Sequence, residues 1–398
     1  MQICYLTRIF PPRIGGPGTL TYLMGKDLIK KGYSVTVVTQ GKGDTPNYEV
    51  KDGIKVHRTF CFENEFTFYN LSISTMLFFR KVLSQIKCND IFQAMDISIG
   101  GFTGWLAKYF TNKSFFLHYG GDLVFEFISL KNRGNWDPRK GVEKALEQKN
   151  FTVKILRAIQ DDYMKKYDMI IPDSKYGERL LLEKMDVPED KVKLIVNGVD
   201  TDKFKPGDKQ KIKKKLGLNG KVILTATRLV PWKGIDVLIK SMPKVLQKVP
   251  DVNLIIAGEG TMYDKLRILI ESMNLGHKVK LVGRLSEETK LLYMKACDVY
   301  ALPSFFDTTP NTLLEIMASG KPTVLSDIDG LREVVTDKTS IKIPVGNINI
   351  LAKNLIEVLT DEERMEKMGL AARKHIMQNY SMRKMMNEYI KLYESWAR

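Results

Sequence analysis

Between Pro303 and Gly330 the chain reads PSFFDTTPNTLLEIMASGKPTVLSDIDG, placing two carboxylates, Asp307 and Glu315, on either side of a Pro-Asn pair. Pro310 suits the first turn of a helix, Asn311 can cap or flank it, and Leu313, Leu314 and Met317 offer an apolar face. A helix start exposes unpaired N–H groups and the positive end of the dipole, which suits phosphate. One carboxylate on the preceding loop and another a turn into the helix could then hold hydroxyl groups on either side of that phosphate. Sugar, diphosphate and ribose in a row describe a nucleotide sugar as the expected ligand.

A second constellation is RLVPWKG, in which Arg228 and Lys233 flank Pro231 and Trp232 in a loop between a strand and a helix. Arginine as a planar fork and lysine as a point charge suit a two-pronged clamp on a diphosphate. Open sheets bind ligands at the C-terminal ends of their strands, where this loop lies, and both cations are expected to be exposed. Near the start of the chain, Gly15 and Gly16 let the backbone approach a phosphate or an acceptor with no Cβ in the way. Asp327 and Asp329 form a DID triplet like that of manganese-dependent transferases. No His or further carboxylate clusters beside it, so it reads as structural.

Taken together these segments resemble glycosyltransferase family 4, retaining enzymes of the GT-B fold. The elements that carry the resemblance are FPPRIGGPGTLTYLM, VKLIVNGVDTDKFKP, RLVPWKG, AGEG (Ala257–Gly260), VGRLS (Val282–Ser286), and Asp307 with Glu315 followed by MASGKP. They occur in the family's order and cover nearly the whole chain. The resemblance implies α/β architecture, two Rossmann-like domains with parallel sheets facing each other across a cleft. It assigns Arg228, Lys233 and Asp307 to catalysis, and Gly15, Gly16, Gly258, Arg284, Asn311, Thr312, Leu313 and Glu315 to the donor. Glu315 is expected on the ribose hydroxyls, Asp307 on the transferred sugar, and the Thr312 and Leu313 amides on the distal phosphate.

The chain departs from the family at two places. The family has Glu followed by Gly where this sequence has Asp307 and Thr308. Relatives carry His-Gly-x-Asp where this chain reads LHYGGDLVFE, so His118 stands one place too far from Asp122. A sugar contact or acid–base role for these two and a purely hydrogen-bonded structural one are both open. The activity implied is metal-independent, cofactor-free transfer of a sugar from a UDP- or GDP-linked donor to a hydroxyl of a glycan or lipid-linked acceptor. Its rivals are a nucleotide-sugar 2-epimerase and a catalytically silent, glycan-binding or scaffolding relative.

Length and composition suit a soluble globular protein of two ordinary domains: 398 residues, 44% hydrophobic and 27% charged. No apolar run has the length of a membrane span and Met1 leads straight into a strand, so a cytoplasmic protein is expected. Cys4, Cys61, Cys88 and Cys297 are scattered, without zinc or disulfide spacing. The net charge of +16 would attract anionic lipid headgroups, nucleic acid or acidic small molecules. No nucleic-acid motif is present. Part of the charge lies in DKQKIKKKLG (Asp208–Gly217), which reads as a solvated helix face. Phe60 to Leu83 is aromatic-rich and ends near Arg80 and Lys81; it would suit a membrane interface if exposed, or a core helix if buried.

Alternating strands and helices begin with QICYLT, a GGPGT break, a helical stretch ending at Gly32, and YSVTVVTQ. The dinucleotide fingerprint GxGxxG is absent, which disfavours a dehydrogenase. Further strands are expected at IKVHRTF, DIFQAM, SFFLHY, DMIIPDS and VKLIVN, then at KVILTATRL, VNLIIAGEG, KVKLVGRL and VYALPS. These give an acceptor domain over 1–203, a donor domain over 204–378, and a tail over 379–398. Tyr389, Tyr393 and Trp396 mark that tail as a helix, which the resemblance assigns to the first domain.

Overall fold

A computed structural model of the chain describes all residues except 14, 62–67, 123, 126–127, 129–136, 148–150 and 397–398. It divides into two compact units. Unit 1 comprises residues 1–134, 142–196 and 386–398, and unit 2 residues 135–141 and 197–385.

Among the described residues unit 1 is built on seven strands: β1 (Gln2–Leu6), β2 (Ser34–Gln40), β3 (Tyr48–Lys51), β4 (Ile54–Thr59), β5 (Ile91–Ala94), β6 (Ser114–Tyr119) and β7 (Met169–Pro172). Their order is β3-β4-β2-β1-β5-β6-β7, with every pairing parallel except β3–β4. Past Gln2, central β1 and β5 are buried on both faces and, but for Gln93, apolar, as suits helix-covered parallel strands. Helix α1 (Gly16–Lys30) starts with Pro17 in its first turn and ends at Lys30 and Lys31, before Gly32 in the left-handed region. In α2 (Phe68–Gln85), Ser74, Phe78 and Val82 are buried at one-turn intervals, while Met76 and the preceding Phe60 are exposed. The core-helix reading therefore holds for the described part of the aromatic segment; its residues 62–67 lie outside the described residues. Helix α3 (Phe151–Lys166) follows before β7.

VKLIVN forms no ladder. Lys193 and Ile195 donate to Ile170 and Pro172 along β7, but beyond an isolated bridge at Val192 the segment is irregular. A run of β-branched residues satisfies strand propensity without supplying a register of paired bonds. The C-terminal helix (Met382–Trp396) carries the expected aromatics into unit 1. Tyr393 stacks on Phe116 and bonds Tyr5 and Gln93 through its hydroxyl, and Trp396 meets Phe116 edge-on.

Unit 2 holds an all-parallel sheet of β8 (Val222–Ala226), β9 (Asn253–Ala257), β10 (Val279–Gly283), β11 (Val299–Leu302), β12 (Thr323–Ser326) and β13 (Ser340–Ile343). Its order is β10-β9-β8-β11-β12-β13. The basic tract forms α4 (Lys209–Lys215), but it is not the freely solvated face its composition suggests. Lys209 and Lys213 reach the buried Asp298 at 2.8 and 2.6 Å, and the Val222 amide donates to the same carboxylate. Burial alone would raise the Asp298 pKa, but the two lysines outweigh it and hold the carboxyl below its ordinary value of 3.8. The stability this contributes is full at neutral pH and fades as acid carries pH below 3.8 through the lowered folded value. Asp298→Ala strands Lys213 as a buried, uncompensated charge and should cost unit 2 about 3–5 kcal/mol in a urea melt. A loss under about 1 kcal/mol, the range of a surface pair, would refute the structural role.

Cys4, Cys88 and Cys297 are free thiols, and Cys4 and Cys297 are buried.

Candidate active site

The strand order of unit 2 reverses between β8 and β11, and ligands of open α/β sheets bind beyond the strand ends at such a switch point. The loop after β8 carries Arg228, turns at Pro231–Lys233, and enters α5 (Ile235–Lys248) through Gly234 in the left-handed region. A Cβ on Gly234 would lie 2.1 Å from the Pro303 carbonyl, so only glycine lets this loop rest on the one after β11. The Phe305 amide, which donates to the Trp232 carbonyl, ties the two loops together.

That contact brings Lys233 and Asp307 into one ion pair, Nζ to Oδ2 at 2.5 Å, with both side chains only 8% exposed. Ser304 Oγ donates to the same oxygen at 3.2 Å. Burial lowers the Lys233 pKa and Asp307 pulls it back up. Of the two cations expected at the surface, only Arg228 is exposed, with its guanidinium 5.8 Å from the Trp232 ring. Lys233 is buried because the loop-on-loop packing closes over its stem.

The second carboxylate stands one turn into α7 (Asn311–Ala318), which Pro310 precedes at the cap position with no side-chain cap. The helix thus opens at Asn311, and the Asn311 side chain does not cap it. Leu313 N–H already donates to Pro310 O, whereas the Asn311 and Thr312 amides have no intrahelical acceptor. Glu315 is held by Lys290 of α6 (Glu287–Ala296), whose ammonium donates to both carboxylate oxygens at 2.8 and 2.7 Å. Burial raises the Glu315 pKa and Lys290 opposes that rise. Lys290 escapes a sequence reading because it sits 25 positions upstream, on another helix and outside any motif.

Gly258 follows β9 with φ 140°, and a Cβ there would lie 1.9 Å from the Thr227 carbonyl. A residue without a Cβ lets the backbone before Arg228 pass this close. Arg284 is exposed just past β10. Gly330 packs its bare Cα under the Asp307 loop, where a Cβ would come 2.3 Å from the Asp307 carbonyl. Asp327 and Asp329 are both paired with Arg332, at 2.5 and 3.1 Å. Among the described residues no three His, Cys, Asp or Glu side chains are grouped to hold a metal ion. Arg139, unremarkable in the sequence, braces the Lys233 loop by bonding Asp236 and the Pro231 carbonyl and stacking over Phe305.

The remaining candidates lie in unit 1. Gly15 occupies the position before α1 and Gly16 opens it. The glycine under the tightest constraint is a third, Gly18, whose Cβ would meet the Ile9 carbonyl at 2.4 Å. His118, near the end of β6, is buried, its Nδ1 3.2 Å from the Tyr389 hydroxyl, and burial lowers its pKa to about 4. Asp122 is also buried and accepts from the Phe125 amide and Gln160 at 2.7 and 2.8 Å; burial raises its pKa. Both arrangements fit packing anchors.

Residues 14–203 match the family described as Glycosyltransferase Family 4, and residues 208–375 match Glycosyl transferases group 1. The chain belongs to the group 1, family 4-like glycosyltransferases. Its enzyme class is hexosyltransferase. This glycosyltransferase is 26% identical to an uncharacterized glycosyltransferase of Methanocaldococcus jannaschii, over 99% of this chain and 98% of that one. It is 34% identical to the GDP-mannose-dependent monoacylated alpha-(1-6)-phosphatidylinositol monomannoside mannosyltransferase of Corynebacterium glutamicum, over 47% of this chain and 52% of the relative. Among solved structures, Anabaena HepE in complex with UDP aligns with a TM-score of 0.76 at 19% identity, covering 99% of this chain and 100% of its own. That likeness carries the fold, two parallel-sheet α/β domains of the GT-B class.

Proposed function

We propose that this glycosyltransferase moves a hexosyl group from a uridine- or guanosine-diphosphate sugar to a hydroxyl of a glycan or lipid-linked acceptor. In this reading the anomeric configuration is retained and no metal ion takes part. The observation that carries the proposal is the Lys233–Asp307 pair at the switch point of unit 2, with Arg228 on the same loop. Breaking the anomeric bond loads negative charge onto the leaving diphosphate while the sugar becomes cation-like. Fixed cations and helix amides aimed at that phosphate act mainly in the transition state. Arg228, Lys233 and the Asn311 and Thr312 amides fill this role, Glu315 accepts from the ribose, and Asp307 accepts from the sugar hydroxyls. The Corynebacterium relative is named for GDP-mannose and the Anabaena structure was solved with UDP, which supports a nucleotide donor without choosing between them.

Melting-temperature shifts with UDP, GDP and ADP should single out one nucleotide; no shift with any would sink the donor reading. Turnover should persist in excess EDTA, and the anomeric configuration of the product, read by NMR, should match that of the donor. Loss in EDTA with rescue by manganese would instead return attention to Asp327 and Asp329.

The acceptor reading, with the enzyme peripheral on a cytoplasmic membrane face, draws support from the surface of unit 1. Phe151, Ile155 and Ile159, one turn apart on α3, are 78%, 44% and 40% exposed, beside exposed Lys154. An apolar stripe with basic neighbours suits anionic headgroups. Among the described residues no helix is long and apolar enough to cross a membrane. Binding to anionic vesicles should weaken as salt rises, and equal binding to neutral vesicles, or none to either, would remove the lipid surface.

A further inference from the structure

We infer that Lys290 is a positioning residue for the nucleotide: by pairing with Glu315 it keeps that carboxylate ionised and oriented as an acceptor for the ribose hydroxyls. The inference rests on the ribose reading of Glu315 proposed above.

A lone carboxylate in a buried position relieves its desolvation by taking up a proton. The neutral acid then offers an O–H donor where two vicinal hydroxyls need acceptors. Lys290 supplies the opposing charge, with one bond to each oxygen of Glu315. Each carboxylate oxygen has two lone pairs, so one on each stays available for a ligand hydroxyl. The ammonium is itself held in place, 5.5 Å from the centroid of the Phe204 ring.

The other groups around Glu315 do not substitute for it. Glu287 on α6 pushes the carboxyl pKa further up and is itself paired with Lys203 at 2.5 Å. Lys203 exerts only a weaker downward pull. The Tyr300 phenol of β11 is buried and donates to Ala226 O, and Ser319 donates to the backbone carbonyl of Glu315, not to its carboxylate. Removing Lys290 therefore leaves burial and Glu287 to raise the pKa. Below that raised pKa the carboxyl is neutral, so nucleotide affinity should fall as pH falls, earlier in the variant than in the wild type.

The test uses Lys290→Met and Lys290→Arg in the full chain, with calorimetric binding of UDP and GDP and their 2′-deoxy forms at about pH 6 and about pH 8. Lys290→Met should lose more ribonucleotide affinity at the lower pH than at the higher, by about tenfold for each unit that the raised carboxyl pKa stands above the lower pH. It should also narrow the gap between ribo and deoxy forms and raise KM for the donor while leaving kcat nearly unchanged. Lys290→Arg should restore binding. Melting without nucleotide reports folding separately. Wild-type affinity for Lys290→Met at both pH values, or tighter binding, would overturn the inference, provided Glu315→Ala still weakens the nucleotide. If Glu315→Ala binds the nucleotide as the wild type does, the ribose reading itself falls and the inference with it.

Discussion

Turnover should fall by ~10²–10³ when Arg228 or Lys233 is replaced by alanine, the usual loss when a charge partner of the transition state is removed. The two variants should part company in stability. Arg228 is exposed over Trp232, and its truncation should leave the melting temperature close to wild type. Lys233→Ala leaves the Asp307 carboxylate buried without its counter-charge, which costs about 3–5 kcal/mol where such pairs are broken. Pairing Lys233→Ala with Asp307→Asn removes the stranded charge and should recover much of the stability without recovering turnover. Activity has to be compared at a temperature where every variant is folded. Near-wild-type turnover in the Arg228→Ala, Lys233→Ala double variant would remove the clamp from the mechanism.

On the proposed assignment, in which Asp307 meets the sugar and Glu315 and the cations meet the nucleotide, Asp307→Ala should abolish transfer while leaving nucleoside diphosphate affinity nearly intact. Glu315→Ala should instead weaken the free nucleotide by about 1–3 kcal/mol, the cost of losing a hydrogen-bond partner of a buried polar group. Asp307→Glu should alter the preference among donor sugars more than the affinity for nucleotide. Binding titrations beside turnover decide the matter. If Asp307→Ala loses nucleotide affinity and Glu315→Ala loses only turnover, the two carboxylates have been assigned backwards.

That Arg228, Lys233, Asp307 and Glu315 lie beside a strand end or a helix start was legible in the sequence, because those local signals are strong. What stayed hidden depends on contacts between segments far apart in the chain. The burial of Lys233 follows from one loop lying on another, through Gly234 and Phe305. The pairing of Lys290 with Glu315 and of Lys213 with Asp298 joins groups 25 and 85 positions apart, where charge patterning along a single helix says nothing. The misread strand VKLIVN and the occupied Leu313 amide are failures of a different sort. Both segments had the right composition, but the backbone bonds were decided by neighbours, β7 in one case and Pro310 in the other.

The contact between Gly330 and the Asp307 carbonyl bears on how an enzyme of this kind could drift from one sugar to another. An aspartate reaches one methylene less far than a glutamate, and where its carboxylate ends up also depends on how low its loop can sit. Here the loop rests on a residue with no side chain, so the shorter acid starts from the lowest seat available. On the proposed assignment of Asp307 to the sugar, sugar choice is then written in two positions, the length of the acid at 307 and the bulk beneath it at 330. A lineage that lengthened the one without regard to the other would move the carboxylate twice.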